Sequence, residues 1–208
     1  AKYFAKAAEQ GLSTAQYNLG NSYRNGQGVA KDDYIAVGWY RKAADQGLDL
    51  AQYNLGNMYQ SGLGVVKDDY MAVGWYRKAA DQGLASAQNN LGHMYLNGLG
   101  VGRVNDAEAV FWFSKSATQQ NARAEQSLGF MYRNGRGVIK DEYAAFDWIR
   151  KAANHGLASA QYQLGVMYEN GQGSAKDDAT AVSWFRKAAN QGNESAKAEL
   201  LKRAARGC

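Results

Sequence analysis

A Leu-Gly dipeptide recurs at Leu19-Gly20, Leu55-Gly56, Leu91-Gly92, Leu128-Gly129 and Leu164-Gly165, in steps of 36, 36, 37 and 36 residues. All five tryptophans keep the same period, at Trp39, Trp75, Trp112, Trp148 and Trp184. The one extra residue falls between Leu91 and Trp112. Self-similarity at such a period marks a repeat array, in which one unit is too small to bury its own apolar face and stacked neighbours supply the core. Lys31 to Leu48 and Lys67 to Leu84 differ only at Ile35 against Met71, which points to duplication.

Each unit holds two segments of helical period. In the first, Ala15, Leu19 and Tyr23 recur at i, i+4 and i+8, the spacing of one helix face. In the second, Ile35, Ala36, Trp39, Ala43 and Ala44 define the apolar side. The punctuation agrees. Asp32, Asp68, Asp141 and Asp177 each precede a second acid, where a carboxylate caps a helix and meets its positive end. Arg-Lys pairs at Arg41-Lys42, Arg77-Lys78, Arg150-Lys151 and Arg186-Lys187 suit the negative end. Gly47, Gly83, Gly156 and Gly192 are expected to stop that helix in a left-handed conformation. Asn-Gly at positions such as Asn25-Gly26 and Asn134-Gly135 would suit a hairpin. Here it follows a 3.6-residue pattern and reads as a helix stop. No strand-like alternation occurs.

The mid-helix Gly20 and its copies cost roughly 1 kcal/mol each against alanine. Five such positions imply close approach of the partner helix, through small residues such as Ala36 and Ala43. A large side chain at Gly92 is therefore expected to overpack by about 1–3 kcal/mol. The tryptophans, fixed in every unit, read as core rather than as ligand platforms.

Chemistry has no visible carrier. With 24 glycines and no proline or collagen spacing, fibrous and polyproline readings fall away. No apolar run approaches 18 residues, so no membrane span is expected. The lone cysteine, Cys208, excludes an internal disulfide framework and reads as idle. Two histidines and one cysteine leave little for zinc. His93 and His155 hold different repeat positions, and no nucleophile motif accompanies either. The Gly-x-Gly pairs, such as Gly62 and Gly64, lack the strand, third glycine or Gly-Lys-Ser/Thr of a phosphate loop. They read as turns with positive φ. Asp-Asp pairs recur once per unit, so capping accounts for them better than catalysis or metal binding. No catalytic residue, metal or cofactor is expected. The net charge of +5 sits on a solvated ridge. The last fifteen residues carry Lys197, Lys202, Arg203 and Arg206 against Glu194 and Glu199. The chain begins at Ala1 without methionine, and is expected to be a fragment or a processed form.

The period, with A-x-x-x-L-G-x-x-Y-x-x-G-x-G-V and then A-V-x-W-Y-R-K-A-A, resembles the Sel1-like repeat family over essentially the whole chain. The second unit shows the pattern in full, from Ala51, Leu55, Gly56 and Tyr59 through Gly62, Gly64 and Val65 to Asp68, Ala72, Trp75, Lys78, Ala79, Ala80 and Gly83. Tetratricopeptide repeats share the two-helix logic at 34 residues. The family often has proline after the turn valine; Ala30, Val66, Ile139 and Ala175 stand there instead, which implies looser turns. Cysteine-rich bacterial relatives carry a disulfide per unit, and that does not carry over. The resemblance implies an all-α, right-handed α-α superhelix. It implies a non-catalytic adaptor or scaffold for protein complexes, of a bacterial exported or envelope-associated kind tied to host contact or signalling. A periplasmic or secreted location follows from the same resemblance.

The expected organisation is one continuous solenoid over 1–208: a half unit at 1–11, full units at 12–47, 48–83, 84–120, 121–156 and 157–192, and a final helix at 193–208. In two-helix solenoids the first helix of each pair lines the concave face. Beside its structural positions lie three that vary between units. Two before the leucine stand Tyr17, Tyr53, Asn89, Gln126 and Tyr162; two after it, Asn21, Asn57, His93, Phe130 and Val166; five after it, Arg24, Gln60, Leu96, Arg133 and Glu169. These fifteen are the candidate partner-binding residues, with His93, Leu96, Phe130 and Arg133 the most individual. Aromatic and arginine side chains are the usual hot-spot types. The third unit also inserts a residue around Gly102, Arg103 and Val104, and puts Gln120 where a stopping glycine belongs. A local change of curvature is expected there, with drift in a tolerant loop as the alternative. The expected partner is a protein or peptide. The alternatives are an enzyme or small-ligand binder using polar groups of the inner groove, and a basic nucleic-acid binder betrayed by steep salt dependence.

Overall fold

The computed structural model describes residues 2–205; Arg206 and Cys208, the latter read above as idle, lie outside them. Twelve helices and no strand occur among the described residues. They fall into two compact units, Ala1–Asn105 and Asp106–Cys208. In the first, α1 (Lys2–Glu9), α2 (Ser13–Asn25), α3 (Asp33–Asp45), α4 (Asp49–Ser61), α5 (Asp69–Asp81) and α6 (Ala85–Asn97) each pack on the next. In the second, α7 (Asp106–Ala117), α8 (Ala122–Asn134), α9 (Glu142–Asn154), α10 (Ala158–Asn170), α11 (Asp178–Asn190) and α12 (Glu194–Ala205) do the same. This is the helix-pair stacking of an α-solenoid.

The second helix of each pair starts where an acid can cap it. Asp32 Oδ1 accepts from the Ile35 amide and Asp68 Oδ1 from the Met71 amide, both at 2.9 Å. Asp141 and Asp177 repeat the arrangement on α9 and α11. The Thr180 hydroxyl and amide hold the Asp177 carboxyl below the usual carboxylate range. The first helices follow an extended leucine with no side-chain cap, at Leu12, Leu48, Leu84 and Leu157. In α8 Asn121 does cap, accepting from the Arg123 and Ala124 amides. The Asn-Gly pairs stop helices as expected, with Gly26 and Gly135 left-handed. Gln120, in the place of a stopping glycine, takes a left-handed φ of 61° itself.

Burial follows the repeat, with three differences from the pattern reading. Ile35, placed on the apolar side of α3, is 38% exposed, and Val37 is buried instead. The inward arc of α3 is Ala36, Val37, Tyr40, Ala43 and Ala44, turned by about a sixth of a turn from the expected one. Three of the five tryptophans are edge residues rather than core filler, while Trp75 and Trp112 are buried, each 6% exposed. Trp39, Trp148 and Trp184 are half-buried, and a lysine three residues on lies over each ring at 4.3, 3.9 and 3.8 Å. A lysine stem covers the indole while its ammonium stays in water. The fully buried position is the next one, held by Tyr40, Tyr76, Phe113 and Phe185. That residue also explains the mid-helix glycine. A Cβ on Gly20 would meet the Tyr40 ring at 2.7 Å before the Ala36 carbonyl at 3.3 Å. The partner helix does approach closely, and its nearest group is an aromatic ring, not a small side chain.

Candidate functional site

The first helices of each unit carry the fifteen residues singled out by sequence. In the first unit most of them are tied into the fold. Tyr17 and Tyr53 are half-buried against the rings of Tyr40 and Tyr76, with centroids 6.1 and 6.0 Å apart. The Tyr40 hydroxyl donates to Asn21 Oδ1 at 2.7 Å, and Asn54 of the next pair donates to the same oxygen at 3.4 Å. Tyr76 donates to Asn57 Oδ1 at 2.7 Å, which Asn90 also reaches at 3.2 Å. Gln60 Oε1 lies 2.7 Å from the Tyr76 hydroxyl, and its Nε2 donates to Met94 Sδ at 3.3 Å. Arg24 bonds the Tyr40 hydroxyl. Burial raises the Tyr40 and Tyr76 hydroxyls above the ordinary tyrosine range, so both stay neutral donors. Asn89 is only 5% exposed and bonds Asn90. His93 and Leu96 are half-buried on α6, and loss of solvation lowers the His93 imidazole below its usual range, so it is neutral at pH 7.

In the second unit Gln126 joins Gln163 and Ser159 at 2.8 and 3.0 Å. Tyr162 and Val166 pack on the cluster around Phe185, and Glu169 is ion-paired with Arg203. Phe130 and Arg133 differ from all of these. Phe130 is 38% exposed, Arg133 is exposed with no ion-pair partner among the described residues, and both line a narrow crevice with Gln163 and Met167. Among the described residues no group of three His, Cys, Asp or Glu could hold a metal ion, and no helix is long and apolar enough to cross a membrane.

The Sel1 repeat matches the chain at residues 1–12, 13–48, 49–84, 85–121, 122–157 and 158–193. The chain belongs to the Sel1 repeat family. It is similar to the crystal structure of a protective antigen present in uropathogenic Escherichia coli strains displaying an SLR fold, with 40% identity, a TM-score of 0.90, and coverage of 99% of this chain and 44% of that one. It thus spans less than half the length of that relative. A Sel1 repeat protein from Oxalobacter formigenes is 37% identical, with a TM-score of 0.85 over 90% of this chain and 74% of its own. An immunity protein from Pseudomonas aeruginosa is 26% identical, with a TM-score of 0.60 over 88% and 67%. No curated protein sequence matches. Sel1 repeats are generally non-catalytic scaffolds that mediate protein–protein interaction.

These Sel1 repeats also share an amide relay that the sequence reading missed. Gln16, Gln52 and Gln161 are buried and donate to the Ala8, Ala44 and Ala153 carbonyls at 3.1–3.2 Å. Each in turn accepts from Gln46, Gln82 or Gln191 of the following helix at 2.7–2.8 Å. The recurrence of both glutamines at the repeat period was the available signal. In α8 and α9 the pair becomes Glu125 and His155, with Nδ1 2.7 Å from Oε2 and Glu125 only 2% exposed. Replacing His155 with alanine leaves that carboxyl buried without its partner, and is expected to cost about 2 kcal/mol. Glu125→Gln with His155→Gln restores the relay of the other repeats, with an expected change under about 0.5 kcal/mol. Urea unfolding of both variants tests this; a silent His155→Ala would show that the pair contributes nothing.

Proposed function

We propose that this chain is a non-catalytic scaffold that holds a protein or peptide on the face of its first helices. Of the fifteen candidate residues, Phe130 and Arg133 carry the reading. They are an exposed aromatic and an exposed guanidinium, three positions apart on α8, lining one crevice. Adjacent aromatic and arginine side chains left unsatisfied by the fold are the usual anchors of an interface. The tyrosines and amides of the other pairs support this face mainly by fixing its shape. The likeness to a protective antigen supports a bacterial exported role in host contact.

The test is to capture a partner with the chain, identify and purify it, and measure its binding by calorimetry. Phe130→Ala with Arg133→Ala is expected to weaken that binding at least about tenfold, or 1.4 kcal/mol. The unfolding midpoint should hold, since both side chains are exposed. A purified partner that binds the double variant as tightly would exclude this face. Failure to capture any protein would move the reading to a small ligand.

A further inference from the structure

The face of α5 turned away from the partner-binding residues carries a slot of about 310 Å³, lined by Tyr70, Met71, Gly74, Trp75, Arg77 and Lys78 among others. Its volume is at the lower end of the range for small-molecule sites. Three observations say what it would take. Its walls are apolar, and Gly74 leaves them open, since a Cβ there would meet nothing within 4 Å. Trp75 is only 6% exposed, yet its Nε1–H is buried with no acceptor among the described residues. A buried donor without a partner is costly, so such groups call for an explanation. At the rim stand two cations. Lys78 Nζ lies 4.0 Å over the Trp75 ring, and Arg77 bonds the Tyr95 hydroxyl. Among the described residues neither has an ion-pair partner.

We propose that this slot is a binding site for a small, flat apolar molecule bearing an acidic group. The ring enters against Tyr70, Gly74 and Trp75, and the acid meets Lys78 and Arg77. The chain supplies its own control. Helix α3 has Tyr34, Gly38, Trp39, Arg41 and Lys42 at the same register, but Trp39 is only half-buried and its indole nitrogen is not an orphaned buried donor. This inference is independent of the face carrying Phe130 and Arg133.

The probes are 1-naphthoate and its neutral analogue 1-naphthamide, titrated into the whole chain. The five indole N–H signals are followed by NMR, with Trp75→Phe assigning the one that matters. Naphthoate is expected to bind with one-to-one stoichiometry and to move the Trp75 signal. Gly74→Leu fills the slot from an exposed helix position that tolerates a better helix former. It should weaken binding about tenfold, and Gly38→Leu should leave it unchanged. Lys78→Gln, and naphthamide in place of naphthoate, should each weaken it severalfold. The proposal falls if the Trp75 signal stays still, if Gly74→Leu binds as the parent does, or if Gly38→Leu loses as much. Equal binding of the amide and the acid overturns the acidic ligand class.

Discussion

Gly64→Ala is expected to destabilise the first unit by about 3 kcal/mol or more, the sum of a left-handed conformation forced on a side chain and a backbone clash. Gly64 has φ +67°, and its Cβ would stand 2.2 Å from the Asp33 carbonyl oxygen, 2.4 Å from the carbonyl carbon and 2.7 Å from the Tyr34 amide nitrogen. Asp33 opens α3, so the turn after α4 sits directly on the first turn of the preceding pair. That turn cannot yield cheaply. The Asp32 amide bonds the Tyr23 carbonyl at 2.9 Å, and the Asp32 carboxyl holds the Ile35 amide. Gly62 is the control. It has φ +68°, but its Cβ would come no closer than 3.2 Å, to Lys67 Cβ. Gly62→Ala should therefore cost about 1 kcal/mol, the conformational part alone. Urea unfolding curves of the two variants separate the contributions. Equal midpoints would mean that the Gly64 contact carries no energy. The Gly-x-Gly motif is thus a turn whose first glycine ends a helix and whose second seats one repeat on another.

The period, the acid caps and the glycine stops were legible in the sequence because each is local chemistry at a fixed spacing. What the spacing could not show is which residues pair. The position two after each leucine varies between units and so looks like a recognition position. Asn21 and Asn57 stand where the residue after the tryptophan is Tyr40 or Tyr76, and their carboxamides accept those hydroxyls. Val166 packs around Phe185. Much of the variation therefore tracks a partner inside the same helix pair: a buried hydroxyl requires an acceptor, and a buried hydrocarbon does not. Phe130 and Arg133 stand out because the fold leaves them uncovered. Three of the tryptophans misled in the opposite sense. Their regularity suggested core, which holds for Trp75 and Trp112, but the layer buried in every pair belongs to their neighbours, whose change from tyrosine to phenylalanine to isoleucine hid a constant task. The position three after the leucine was also missed, although Met58, Met94, Met131 and Met167 recur there and are all buried.

That constant task sets the second large effect. Gly56→Ala should cost about 2 kcal/mol, although alanine is the better helix former by about 1 kcal/mol. Its Cβ would lie 2.7 Å from both Cδ1 and Cε1 of Tyr76. The ring is fully buried, and its hydroxyl is held at Asn57 and Gln60, so it cannot swing aside. At the equivalent Gly129 the nearest atom is Cδ1 of Ile149, at 2.6 Å. Cγ1 follows at 2.7 Å, but both atoms belong to a flexible aliphatic chain that lines a crevice, so Gly129→Ala should cost at least about 1 kcal/mol less. A double-mutant cycle decides whether the ring is the cause. Tyr76→Leu alone leaves a cavity and an unmet Asn57, and is destabilising. Combined with Gly56→Ala it should recover about 1 kcal/mol or more relative to the sum of the two single changes. Strict additivity would mean that the glycine answers to something other than Tyr76, and the packing rule inferred for every helix pair would have to be replaced.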